Sequence, residues 1–96
     1  MKLSEEQIKQ FNEEGYIFLP SCFSKDEITV LNDAAAEIYK SDREEVWRES
    51  SGVARTAFAA HTYNEAHRRL GAHPRLINPI EQLLGGDVYM HQYKIN

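Results

Sequence analysis

At 96 residues, 42% apolar and 27% charged, the chain has room for one small domain with a modest core, and its ten aromatics argue against disorder. A net charge of -4 with no basic stripe gives no electrostatic reason to expect nucleic acid, and no apolar run approaches the roughly 20 residues of a membrane-spanning helix. The lone cysteine, Cys22, cannot make an internal disulfide, and the charged opening "MKLSEEQIKQ" lacks a signal-peptide core, so a cytoplasmic setting is expected.

Two helix starts use the same device. In "LSEEQI", Ser4 is the N-cap, Gln7 sits at the third helical position, and Leu3 and Ile8 flank as a hydrophobic staple. In "FSKDEI", Ser24, Glu27, Phe23 and Ile28 repeat the pattern. The first helix runs to Glu14, buries Ile8 and Phe11, and stops at Gly15. "YIFL", Tyr16 to Leu19, reads as a short strand closed by Pro20. The second helix puts Ile28, Leu31, Ala35 and Ile38 on one stripe and fades by Lys40 to Asp42.

"SDREEVWRESSG", Ser41 to Gly52, is dense in charge and reads as a mobile loop or frayed helix end, with Trp47 packing it onto the body or contributing to a lid. "VARTAFAAH", Val53 to His61, reads as a strand weakened by its alanines. Asn64 caps a short helix through Leu70, stopped by Gly71. Pro74 opens a further helical stretch that buries Leu76, Ile77, Ile80, Leu83 and Leu84, with Pro79 as the first-turn residue of a separate helix. After Gly85-Gly86, "DVYMHQYKIN" reads as a final strand with Gln92, Lys94 and Asn96 on one face. The class is α+β. Three strands cannot close a barrel, and the last has no sequential partner, which suggests that further sequence follows Asn96.

No pair of the four histidines has a metal-ligand spacing, so no metal site and no catalytic residue is assigned in this chain. Cys22 precedes a helix start, but its plainer reading is a small half-buried side chain. The polar face of the last strand is the most informative feature. Outward it is only solvated. Facing an interior, Gln92, Lys94 and Asn96 need polar partners, which a dicarboxylate supplies. Arg55, flanked by small residues, is either a surface group or an anion clamp.

"FNEEGYIFLPSCFSKDEITVLNDAAAEI" resembles the opening of the phytanoyl-CoA dioxygenase superfamily. "GVARTAFAAH" and "HPRLINPIEQLLGGDVYMHQYKIN" are similar to its ectoine hydroxylase and free-proline hydroxylase branch. The resemblance implies the N-terminal helical cap and first strands of a double-stranded β-helix, or jelly roll, incomplete as given: residues 1–52 as cap with a short strand, and residues 53–96 as strand, helix and strand leading into the core. It implies an Fe(II)- and 2-oxoglutarate-dependent hydroxylase that uses dioxygen on a small-molecule substrate. The cosubstrate is decarboxylated and a substrate C–H becomes C–OH. Gln92 would touch substrate or 2-oxoglutarate, Asn96 would hydrogen-bond 2-oxoglutarate, and Arg55 would lie on the substrate side. No role carries over to Lys94.

The family's His-x-Asp pair, distal histidine and cosubstrate arginine have no counterparts here. His91 is not followed by x-Asp, and His61 is followed by Thr62-Tyr63. The chain is therefore expected to be inactive alone, with the iron ligands in sequence beyond Asn96. The competing reading is a small standalone α+β interaction domain whose open strand edge recruits a partner's strand.

Overall fold

Both serine-led helix starts fold as their residues dictate. The computed structural model describes residues 2–96, in two units: one runs to Cys22 and takes in Ala72–Tyr89, the other comprises Phe23–Gly71 and Met90–Asn96.

In the first unit, helix α1 spans Glu5–Glu14. Ser4 Oγ accepts from the Gln7 N–H at 3.1 Å, and Gln7 Oε1 accepts from the Ser4 N–H at 2.9 Å. The box satisfies amides that a helix start leaves open. Gly15 closes the helix at φ 84°, a left-handed turn that costs glycine nothing, and its N–H reaches the Phe11 carbonyl.

Residues 16–19 do not form the expected strand. A strand needs a ladder partner, and none pairs with this segment among the described residues; Tyr16 and Phe18 are exposed. Helix α2, Lys25–Lys40, belongs to the second unit. In the first, the next helix after the gap in sequence spans Pro74–Leu84 as one piece, capped by His73 Nδ1 on the Arg75 N–H at 3.1 Å.

Pro79 lies inside that helix rather than opening another. Proline has no N–H for the carbonyl one turn back, that of Arg75. The Cys22 thiol stands there instead, its Sγ 4.0 Å from Arg75 O, while Arg75 Nη1 donates to Cys22 O at 2.9 Å. Pro79 is buried, whereas Ile80 and Leu84, expected inside, are exposed. Leu3 is buried, and Gln82 joins it through both ends of its carboxamide: Leu3 N–H to Oε1 at 2.8 Å, and Nε2 to Leu3 O at 3.3 Å.

The second unit holds a three-stranded antiparallel sheet: β1 Val46–Arg48, β2 Ala54–Phe58 and β3 Lys94–Ile95, in that spatial order. Helix α2 starts with the second capping box, Ser24 with Glu27, and places Ile38 in the core; Ile28, on the same predicted stripe, is exposed. Helix α3, Glu65–Gly71, is capped by Asn64, whose Oδ1 accepts from the His67 N–H. With α3 defined, the Pro74–Leu84 helix is α4.

The core consists of Ile38, Val46, Ala57 and Ala60, with Tyr39, Tyr63, Tyr93 and Ile95 packed around it.

The charged stretch 41–52 is not loop throughout: it holds a short strand not expected from the sequence. Val46–Arg48 pairs with β2 as a hairpin. The Arg48 guanidinium donates to the carbonyls of Ser41 and Gly52 at 3.0 Å each, and to that of Tyr39. One cation thus ties the carbonyl end of α2 to the hairpin turn, where helix geometry leaves acceptors open.

β2 ends at Phe58, short of the expected His61, because Ala59 adopts a left-handed φ of 57° and the chain turns into a short 3-10 helix at Ala60–Thr62. That break also limits the last strand. Only Lys94 and Ile95 find ladder partners, Phe58 and Ala57; before them the Tyr93 carbonyl accepts from the Ala59 N–H, and residues 87–93 are not strand.

Candidate functional site

Alternation along β2 separates its two faces. Ala57 points into the core with Val46 and Ile95, while Thr56 and Phe58 point the other way, toward Trp47 and Lys94. Opposite β1 the register slips: Trp47 faces Thr56, but Arg48 faces Ala54. Arg55 is the extra residue of this bulge. A bulge bends its strand and re-aims a side chain, and here the guanidinium is released to the surface.

The result is a concavity of about 480 Å³ lined by Trp47, Arg55, Thr56, Phe58, Lys94 and Asn96. Trp47 and Phe58 meet edge to face, ring centroids 4.7 Å apart, and make its apolar wall. Arg55 Nε lies 3.9 Å from a Glu49 oxygen, a loose exposed pair worth little. The Thr56 hydroxyl donates to Asn96 Oδ1 at 3.0 Å, which leaves the Asn96 NH₂ as a donor. Lys94 enters no ion pair among the described residues. Cationic and amide donors beside an aromatic wall suit a small ligand with a carboxylate at one end and apolar surface at the other.

Two expected site residues, Arg55 and Asn96, therefore share one concavity. Gln92 lies in a second, smaller hollow of about 210 Å³ with His61, His91 and Tyr93; Phe58 and Lys94 line both. Trp47, Thr56 and Phe58 were not singled out as site residues by sequence. The alternation in "ARTAF" was the signal available for Thr56 and Phe58. Nothing in the charged run around Trp47 announces a strand.

Beneath the smaller hollow lies a buried polar cluster. His67 Nδ1 is 2.7 Å from the Tyr93 hydroxyl, and its Nε2 is 3.3 Å from the Leu31 carbonyl. A carbonyl only accepts, so Nε2 carries the proton and Nδ1 accepts from Tyr93. Burial lowers the His67 pKa below its usual value, partly offset by the Leu31 bond, and burial raises that of the Tyr93 phenol. His61 stacks on Tyr93 at 5.1 Å, and its Nδ1 is buried with no hydrogen-bond partner. Tyr63, with Arg43 over its ring at 4.0 Å, donates to Phe58 O at 3.0 Å; burial, then Glu45, raises its pKa against the pull of Arg43.

Among the described residues no three His, Cys, Asp or Glu side chains stand together as metal ligands. His67 is committed to Tyr93 and Leu31, and His73 to its helix cap. These residues do not fit a resident iron ion.

The sequence pattern of the phytanoyl-CoA dioxygenase family matches residues 11–96. The chain belongs to that family. Its family relatives include the ectoine dioxygenase of Stutzerimonas stutzeri, 31% identical over 98% of this chain and 33% of that protein. The L-proline trans-4-hydroxylase of Streptomyces griseoviridis is 33% identical over 91% of this chain and 33% of that one. The chain spans about a third of the length of the curated relatives it matches. Among solved structures, EctD from S. alaskensis with bound Fe superposes with a TM-score of 0.90 at 33% identity, covering 98% of this chain and 35% of EctD. The same enzyme with 2-oxoglutarate and 5-hydroxyectoine gives 0.88 at 32% identity, with the same coverage. The mixed helix and strand architecture is thus that of a segment of this family fold. No helix among the described residues is long and apolar enough to cross a membrane.

Proposed function

We propose that this chain forms one wall of the active site of an iron(II)- and 2-oxoglutarate-dependent hydroxylase whose substrate is a small molecule of the ectoine or free-proline kind. In this reading the chain is the helical cap and first strands of a jelly roll, and the oxidising centre is built by other residues. No oxidative step is assigned to the side chains described here. Their work is to bind and orient.

Asn96, steadied by Thr56, donates its NH₂ to a carboxylate oxygen of 2-oxoglutarate. Arg55 adds positive charge on the substrate side. Gln92 meets substrate or cosubstrate across Lys94. Trp47 and Phe58 exclude water from the apolar part of the ligand. The observation that carries the reading is the likeness, over 98% of the chain, to a structure holding 2-oxoglutarate and 5-hydroxyectoine. The meeting of Arg55 and Asn96 in one concavity agrees with it.

The test is 2-oxoglutarate turnover by the protein made from the complete natural reading frame, with ectoine and L-proline offered in turn. Succinate release coupled to a hydroxylated product is expected with one of them. Loss of the Asn96 carboxamide in Asn96→Ala should raise KM for 2-oxoglutarate about tenfold, the order of one charge-assisted hydrogen bond. No turnover with iron and either substrate, or an unchanged KM in the variant, would count against the reading.

A further inference from the structure

The segment that carries Gln92, Lys94 and Asn96 has little ladder to hold it. Only two of its residues pair with β2, yet a one-residue slip would turn every side chain to the opposite face. The short ladder is reinforced by further contacts, and these converge on Tyr93.

The Tyr93 carbonyl accepts from the Ala59 N–H at 2.7 Å. Its hydroxyl donates to His67 Nδ1 at 2.7 Å, and His67 is in turn held by the Leu31 carbonyl of α2 and the Asn64 side chain before α3. Its ring lies between two imidazoles, stacked on His61 and edge-on to His67 at 5.8 Å. Gly71 lies against the same ring: a Cβ there would be in ordinary contact with Tyr93 Cε2 at 3.5 Å and tight only to the flexible end of Met90, at 3.1 Å. His67 is only 5% exposed, so its position is set from all sides.

We infer that His67 is a positioning residue: through Tyr93 it holds residues 92–96 in the register that presents Gln92, Lys94 and Asn96 to the ligand side. The geometry follows from strand alternation. Tyr93 and Ile95 both pack against the core, so Lys94 between them turns the other way, beside Phe58; the Tyr93 ring also forms part of the hollow that Gln92 and Lys94 line. The inference rests on the reading of that face as ligand-binding. It adds a residue that touches no ligand and lies on a different element from the site.

Tyr93→Phe keeps the ring and removes only the hydroxyl. His67→Asn keeps an acceptor near Nδ1 and gives up the Leu31 contact. In the protein made from the complete reading frame, followed by NMR, Tyr93→Phe should speed exchange of the Ala59 amide about threefold to tenfold, the order of one hydrogen bond. It should also shift the His67 Nδ1 resonance and the Asn96 side-chain NH₂, while amides within α4 stay unchanged. His67→Asn should fall between the parent and Tyr93→Phe. An Ala59 exchange rate and Asn96 resonance unmoved by Tyr93→Phe would overturn the positioning role. In the complete enzyme, Tyr93→Phe should raise KM for 2-oxoglutarate or substrate severalfold with a smaller change in kcat. A shifted register with an unchanged KM would instead overturn the reading of this face as the ligand side.

Discussion

The two halves of the small sheet are held in different ways. The β1–β2 hairpin is a local structure: five residues separate its strands, the Glu49 N–H bonds the Val53 carbonyl at 2.8 Å, and Arg48 binds the turn to the end of α2. The β2–β3 half joins residues about forty positions apart through two ladder pairs. One further backbone bond, Ala59 N–H to the Tyr93 carbonyl, and two side-chain bonds, Tyr93 on His67 and Thr56 on Asn96, add to them. A local hairpin brings its own register, whereas a distant strand has to be given one. The candidate ligand-binding groups of residues 92–96 lie on the side whose register comes partly from side chains, so binding and register are coupled there.

The largest expected effect removes what both halves share. Ile38→Ala opens a hole beneath Val46 and Ala57 and should cost about 2–4 kcal/mol, lowering the thermal midpoint and loosening both strand pairs together. If hydrogen exchange then rises in only one half, the common core is not what couples them.

Arg48→Ala should cost about 1–2 kcal/mol, since it strips a cation from three carbonyls. Its effect should stay in the hairpin, with Val53 and Glu49 amides exchanging faster and the Asn96 resonances unmoved. Thr56→Val preserves shape and removes the hydroxyl that steadies Asn96, and should cost about 0.5–1.5 kcal/mol. In the complete enzyme it should weaken 2-oxoglutarate binding while the hairpin amides keep their protection, the mirror image of Arg48→Ala.

The smallest effect is one of pH. The folded state holds His67 below its ordinary pKa of about 6.5, so it favours the neutral ring. Stability from this group is fully present above that value and declines as the pH falls from there through the lowered folded pKa. Protonation turns Nδ1 from acceptor to donor, so the Tyr93 hydroxyl can no longer donate to it and must rotate to accept instead. The Ala59 amide should therefore exchange faster, relative to its intrinsic rate, on mild acidification. In Tyr93→Phe that added change should vanish, and a pH response that survives there would point to another group.

Sequence makes the helix ends plain because their chemistry is local. Ser4 with Gln7, Ser24 with Glu27, Gly15 and Asn64 each act within one turn of the chain. β1 escapes notice because Val46 and Trp47 sit in a run of charges, and only pairing with β2 makes that run a strand. Residues 16–19 mislead in the opposite way: their run of aromatic and branched residues is strand-like, but a ladder needs a second strand. Arg55 and Asn96 were singled out by residue type and family likeness. Their meeting depends on a bulge and a long-range pairing that no local pattern announces. The buried role of His67 depends equally on Leu31 and Tyr93, distant in sequence.

The most direct measurement is to read the natural coding sequence beyond Asn96. A His-x-Asp within roughly one or two strand lengths, about 10–20 residues, is the predicted result and would supply iron ligands of the kind the proposed function requires. A stop codon directly after Asn96 would contradict the account and leave a family member whose polar concavity serves no oxidising centre in its own chain.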